Sequence, residues 1–271
     1  EVLVEALSEA NLLSTVDGLK RRYPELERPQ PSSSKQERNE DGDQLPAKKE
    51  EEISIEGVFK GSIRKYYELK LTKFNPLIWN DNFTLSLDDV FTELKLIQTR
   101  GKHSKPTAEI KRLDDLLNPN VTGQSQALRC ILIEAEPGGG KTTFMSKEAI
   151  DAVSQKTELG RWYDIVLLIR LREVREGETI EEIVWDQCVP ETTEGVDVQT
   201  IRTILQRNES RVLFLLDGYD ELRPEASADR QAIPKLLSGK VYPHSTIVIT
   251  SRPSTQSCND YQESLLVMGH D

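Results

Sequence analysis

EAEPGGGKTTF, Glu134 to Phe144, sets three glycines in a row ahead of one lysine and two threonines. With no Cβ atoms in the way, the backbone N–H groups of such a loop can curl around an anion, and a phosphate chain is the ligand that fits. The nearest pattern is G-x-x-x-x-G-K-[ST]. It reads here as Ala135-x-x-x-x-Gly140-Lys141-Thr142, with alanine in place of the first glycine. The candidate phosphate-binding residues are therefore Glu136, Pro137, Gly138, Gly139, Gly140, Lys141, Thr142 and Thr143. Upstream, RCILIEA (129–135) is a short apolar, β-branched run of the kind that forms a buried strand. Downstream, Phe144, Met145, Ala149, Ile150 and Val153 recur at roughly helical spacing. A strand, a glycine-rich turn and a helix in that order aim free N–H groups and the positive helix end at a phosphate.

Three further strand signals follow, Asp164–Leu171, Arg211–Asp217 and Ser245–Ser251, with helix patterns between them at Thr179–Gln187, Val198–Gln206 and Ala228–Leu237. Near-continuous apolar strands alternating with helices predict an α/β fold, a parallel sheet with helices on both faces. Ahead of this core, residues 53–128 read as a lead-in of helices and strands. SIRKYYELKLTKF is its helix candidate, Val90–Ile97 an apolar alternating run, and Leu113–Leu117 a short apolar segment. Residues 28–52 are nearly devoid of apolar side chains and rich in Pro, Ser and charge, the composition of a disordered linker. Residues 1–27 carry apolar positions that suggest two short helices, too few to bury a core alone, as at the end of a helical domain.

The whole chain has 271 residues, 37% hydrophobic and 30% charged, which allows one or two domains. Its formal net charge of −11 and pI near 5.0 argue against a general binder of nucleic acid or membrane surface. No apolar run approaches the length of a membrane span. Cys130, Cys188 and Cys258 are scattered and odd in number, as expected for reduced thiols in the cytosol.

A second constellation is LFLLDGYDEL, Leu213 to Leu222. Asp217 ends a predicted strand, where ligands gather in open α/β sheets, and a carboxylate there can orient Mg²⁺ through water. Asp220 or Glu221 could position or deprotonate a water attacking a γ-phosphate. In STIVITSRP, Arg252 directly follows a strand end, so it emerges on the same sheet edge and could contact a terminal phosphate.

EAEPGGGKTTF, LFLLDGYDEL and TIVITSRP in this order resemble the NACHT module of NOD-like receptors, a branch of the signal-transducing P-loop NTPases. The resemblance runs from Ile53 onward and is strongest between Cys130 and Pro253. FTLSLDDVFTELKLI (83–97) is also similar to the segment that precedes the module in such receptors, and residues 1–26 are weakly similar to the last helices of a death-fold domain. The resemblance implies a P-loop NTPase core over residues 129–271 that binds ATP and ADP with Mg²⁺. By it, Lys141 would hold the β- and γ-phosphates, and Thr142 and Asp217 would serve the ion. Asp220 would orient the water, with Glu221 second, and Arg252 would act as the sensor. Adenine contacts are expected near Val121–Thr122. The implied function is an oligomerisation switch, slowly hydrolysing ATP, in a cytoplasmic innate immune receptor that self-associates and engages death-fold adaptors. The alternative is an ordinary P-loop ATPase whose purpose is turnover; no N-K-x-D string supports guanine specificity and no L-S-G-G-Q string a transporter.

Overall fold

In the computed structural model the chain divides into two compact units, Glu1–Glu50 and Glu51–Asp271. The structure describes residues 54–74, 85–91, 95–99, 109–110, 112–118, 128–228, 230–253 and 264–269, all in the second unit. The helical segment expected at 1–27, the linker at 28–52 and the adenine contacts near Val121–Thr122 lie outside the described residues.

Helix α1 spans Ile55–Lys70, begun by the Ser54 hydroxyl accepting from Gly57 N–H at 3.1 Å. Its buried face carries Phe59, Ser62, Ile63 and Tyr67, a spacing that lines one side of a helix. The helix thus starts earlier than the SIRKYYELKLTKF pattern predicts and stops sooner. It closes at Leu71, and Lys73–Phe74 (β1) instead pairs antiparallel with Leu85–Ser86 (β2). Three short pieces come next: α2 (Leu87–Val90), then the antiparallel pair β3 (Lys95–Thr99) and β4 (Glu109–Ile110). The apolar segment Leu113–Leu117 is helix α3.

The core follows as β5 (Cys130–Glu134), α4 (Lys141–Val153), α5 (Leu159–Trp162), β6 (Ile165–Arg170), α6 (Ile180–Cys188), α7 (Val198–Arg207), β7 (Val212–Asp217), α8 (Ala232–Leu237), β8 (Thr246–Ser251) and β9 (Ser264–Gly269); the period of the apolar residues predicts all of these but α5 and β9. The seven-stranded sheet runs in the order β4-β3-β9-β5-β8-β7-β6. The five strands from β9 to β6 are parallel, and β3 joins the outside of β9 antiparallel. Successive side chains of a strand point to opposite faces, yet β7 and β8 are buried at every residue, so both faces of the sheet are covered. The helix predicted over Ala228–Leu237 is shorter than its pattern: a 3₁₀ turn at Pro224–Ser227 precedes it, and α8 itself is the six residues from Ala232.

Strand β6 has a free edge, and side chains close it. Leu168 N–H donates to the Tyr67 hydroxyl at 2.7 Å, and that hydroxyl lies 3.3 Å from the Val166 carbonyl. Gln187 bonds both backbone groups of Arg170, accepting at 2.8 Å and donating at 3.3 Å, as a neighbouring strand would. Cys188 donates to the Leu168 carbonyl, and burial pushes its thiol up to about 12, which leaves it unreactive near neutrality.

Behind the glycine loop, α4 buries a carboxylate. Glu148 is only 7% exposed, with Oε2 unpartnered, and burial together with the nearby Asp114 charge pushes it up to about 7. The folded protein therefore holds this proton more tightly than the unfolded chain, whose ordinary value is 4.5. Below pH 4.5 both states carry it; as pH rises through 7, stability falls by about 3 kcal/mol in total. Glu148→Gln removes that titration. The stability gap between variant and wild type, read from urea unfolding at pH 5 and pH 8, is expected to move in favour of the variant by about 2–3 kcal/mol. A gap independent of pH would show that Glu148 is ordinarily hydrated.

Candidate phosphate site

The glycine loop connects β5 to α4, and its shape comes from specific backbone needs. Gly138 (φ +78°) and Gly140 (φ +80°) lie in the left-handed region, where a side chain is strained. Gly139 has ordinary φ but no room: a Cβ there would stand 2.9 Å from the Glu136 carbonyl oxygen and 3.1 Å from the Ala135 methyl. Ala135 is not among the positive-φ residues and is buried, so the turn accepts alanine where the pattern has glycine. Its N–H donates to the Ser251 carbonyl of β8 at 3.2 Å. Gly140 caps α4, its carbonyl accepting from Phe144 N–H at 2.8 Å, which leaves the first N–H groups of the helix directed into the loop. The Lys141 ammonium donates to the carbonyls of Ala135 at 2.7 Å and Glu136 at 3.2 Å. The cation is thus drawn over the loop it closes.

Strand β8 lies between β5 and β7, and its C-terminal end ties the two sequence motifs together. Thr250, fully buried, accepts from Gly218 N–H and donates to Asp217 Oδ1, each at 2.9 Å. Because Gly218 supplies one proton, the threonine's own hydroxyl proton is committed to Asp217, and this fixes the carboxylate's orientation. Two residues on, Arg252 meets Asp220: its backbone N–H donates to Oδ1 at 3.0 Å and its Nε pairs with Oδ2 at 2.9 Å. Asp220 and Glu221 sit in a single 3₁₀ turn, Tyr219–Glu221, which follows Gly218 in the left-handed conformation.

A cavity of about 280 Å³ is lined by Pro137 to Thr143 together with Glu221 and Arg252. The loop and these two charged residues, distant in sequence, share one wall. Glu136, Asp217 and Asp220 do not line it: the Glu136 carbonyl accepts from Lys141, Asp217 accepts from the Thr250 hydroxyl, and Asp220 holds Arg252. Thr250 itself is the residue that sequence reading missed, although it lies two positions before Arg252 in VITSRP. A larger cavity of about 390 Å³ lies elsewhere, between α6 and α8, and mixes Glu181 and Glu178 with Arg202 and Arg230; it has no glycine loop and no strand C-terminus.

The donor set can be compared with what Mg²⁺ requires. No group of three or more His, Cys, Asp or Glu that could cage a metal occurs among the described residues. Mg²⁺ does not need one, because it keeps several waters and takes one or two protein oxygens plus phosphate oxygens. The exposed Thr142 hydroxyl at the first turn of α4 and the Asp217 carboxylate at the end of β7 supply that kind of partial set.

Comparison with known proteins agrees with this geometry. The family profile described as the NACHT domain matches residues 129–266. The chain is 29% identical to NLR family CARD domain-containing protein 4 of Xenopus tropicalis over 187 residues, 68% of this chain and 17% of that protein. It is 30% identical to human baculoviral IAP repeat-containing protein 1 over 191 residues, 67% of this chain and 13% of that one. It is also 26% identical to mouse NACHT, LRR and PYD domains-containing protein 3 over 205 residues, 70% and 18% of the two chains. The chain therefore spans less than a fifth of the length of these curated relatives.

Proposed function

The chain belongs to the NACHT domain family, and from that premise we propose that it is the ATP- and ADP-binding switch of a cytoplasmic innate immune receptor. The observation that carries the proposal is the single cavity in which the glycine loop, Glu221 and Arg252 meet. Loop N–H groups and the start of α4 receive the phosphates, and Lys141 exchanges its two carbonyl partners for β- and γ-phosphate oxygens. Thr142 and, through water, Asp217 would hold Mg²⁺, which would neutralise negative charge on the phosphates. Glu221 orients the attacking water; its place in the cavity lining supports it over Asp220 for that task. Arg252 contacts the terminal phosphate.

A ligand moves a two-state protein only by its differential affinity for the states, so the γ-phosphate must make a contact that one arrangement lacks. Arg252 is that contact. ATP then favours self-association of the receptor, hydrolysis resets it, and death-fold adaptors join through the N-terminal region. Among the described residues no helix is long and apolar enough to cross a membrane.

The test uses the whole receptor. Light scattering with ADP, ATP and a non-hydrolysable ATP analogue is expected to show larger particles with the last two. Identical particle sizes in all three would leave an NTPase whose purpose is turnover. In parallel, Glu221→Gln is expected to slow hydrolysis by about 10²–10³-fold while ATP affinity stays within about twofold. Hydrolysis at the wild-type rate would remove Glu221 from the reaction.

A further inference from the structure

The two acids after Gly218 are neighbours in sequence but do different things in space. Glu221 lines the phosphate cavity, whereas Asp220, its side chain 14% exposed, turns away to Arg252. It grips that residue at two points with one carboxylate: Oδ1 takes the main-chain N–H at 3.0 Å and Oδ2 takes Nε at 2.9 Å. The first contact fixes where the chain leaves β8, and the second fixes the direction of the side chain. The Arg252 side chain is 53% exposed on a long, rotamer-rich stem. Ordering a side chain of this kind costs free energy at each binding event, and a contact that orients it beforehand lowers that cost. Pro253 follows it and limits the same turn.

We propose that Asp220 is a positioning residue: it holds Arg252 at the rim of the glycine loop so that the arginine can discriminate a nucleoside triphosphate from a diphosphate. The inference rests on Arg252 being the contact to the terminal phosphate. Asp220 is outside the cavity lining, whereas the glycine loop and Arg252 are part of it. Pre-orientation lowers the cost of the contact without adding an interaction to the nucleotide itself. Asp220 should therefore affect the binding of triphosphate and leave diphosphate alone, a pattern that loss of general structural integrity would not give.

The experiment is a double-mutant cycle on the full chain, reading affinities for ADP and for a non-hydrolysable ATP analogue, each with Mg²⁺, by competition against a fluorescent ADP. The expected result is that Asp220→Ala and Arg252→Ala each lower the triphosphate-to-diphosphate affinity ratio by about tenfold, and that the double variant is no worse than Arg252→Ala within about twofold. ADP affinity stays within about twofold throughout, which also certifies that the variants are folded. Asp220→Asn retains an acceptor for the main-chain N–H and loses the charge, so its ratio falls between those of wild type and Asp220→Ala; it carries the test if the alanine variant fails to fold. An unchanged or raised ratio in Asp220→Ala, beside a lowered one in Arg252→Ala, overturns this inference and leaves the phosphate contact standing. So does a double variant whose loss is the product of the two single losses. An unchanged ratio in Arg252→Ala removes the phosphate contact and the inference with it.

Discussion

Lys141→Ala is expected to lower the affinity of the chain for ATP by about 30- to 100-fold, the largest effect on nucleotide affinity of any single site residue. One ammonium facing several phosphate oxygens gives charge-assisted contacts of about 2–3 kcal/mol, and each 1.4 kcal/mol is tenfold. The gain is net of an exchange, because the same ammonium has two carbonyl partners in the loop. In the variant those carbonyls are left to water, and the loop loses the strut across its neck. Lys141 is only half-buried, so the melting temperature should shift by no more than about 2–4 °C. The check is a titration with a fluorescent ATP analogue beside a thermal melt. ATP affinity within twofold of wild type would end the phosphate-loop reading of Glu134–Phe144.

The largest effect on stability is expected at Tyr67. Tyr67→Ala should cost about 4–6 kcal/mol: a buried aromatic ring is lost from the face of α1, and the Leu168 N–H of β6 is left without its partner. Against a typical domain stability of 5–15 kcal/mol, that is enough to make the variant largely insoluble or unfolded at 37 °C. Tyr67→Phe separates the two contributions, since the ring stays and the hydroxyl goes; its expected cost is about 1–3 kcal/mol. Urea unfolding of both variants measures this. A phenylalanine variant with the wild-type midpoint would show that the β6 edge groups do not depend on the hydroxyl.

Much of the core was legible in the sequence because it repeats one rule. Apolar runs of strand length alternate with helical patterns, and a fully buried parallel strand is spelled by Val, Ile and Leu without alternation, as in RVLFLLD and STIVITS. The phosphate loop was legible because its backbone geometry requires glycine at Gly138 and Gly140, and glycine has few substitutes at positive φ. Helix limits were less so. The start of α1 is set by a single hydroxyl at Ser54, outside the apolar pattern, and α8 is held short by a 3₁₀ turn that periodicity does not see. Strand β3, which carries β4 on its outer edge, depends on a partner, β9, far along the chain, and no local signal announces that pairing.

The site was legible in its membership and not in its division of labour. Asp220 and Glu221 have the same chemistry and adjacent numbers, so spelling cannot separate them. In a 3₁₀ turn successive side chains point roughly 120° apart, so one acid can line a cavity while its neighbour turns to Arg252. Thr250 escaped notice for a related reason. A threonine in a β-branched strand looks like filler, and its role is visible only once β8 is inserted between β5 and β7.

The position of β5 in the sheet also has a bearing on how the protein is made. The strand that carries the glycine loop pairs with β8 on one side and β9 on the other, both of which lie later in the chain. As the polypeptide leaves the ribosome, β6 and β7 can find each other early, but Cys130–Glu134 has no sheet to join until Thr246–Ser251 has emerged. Until then its apolar residues are an unpaired strand, the kind of exposed segment that chaperones bind. Arg252 arrives later still, directly behind β8, so the full phosphate cavity comes into being only when synthesis has passed it. Nucleotide thus stabilises the finished domain and has no hold on its precursors.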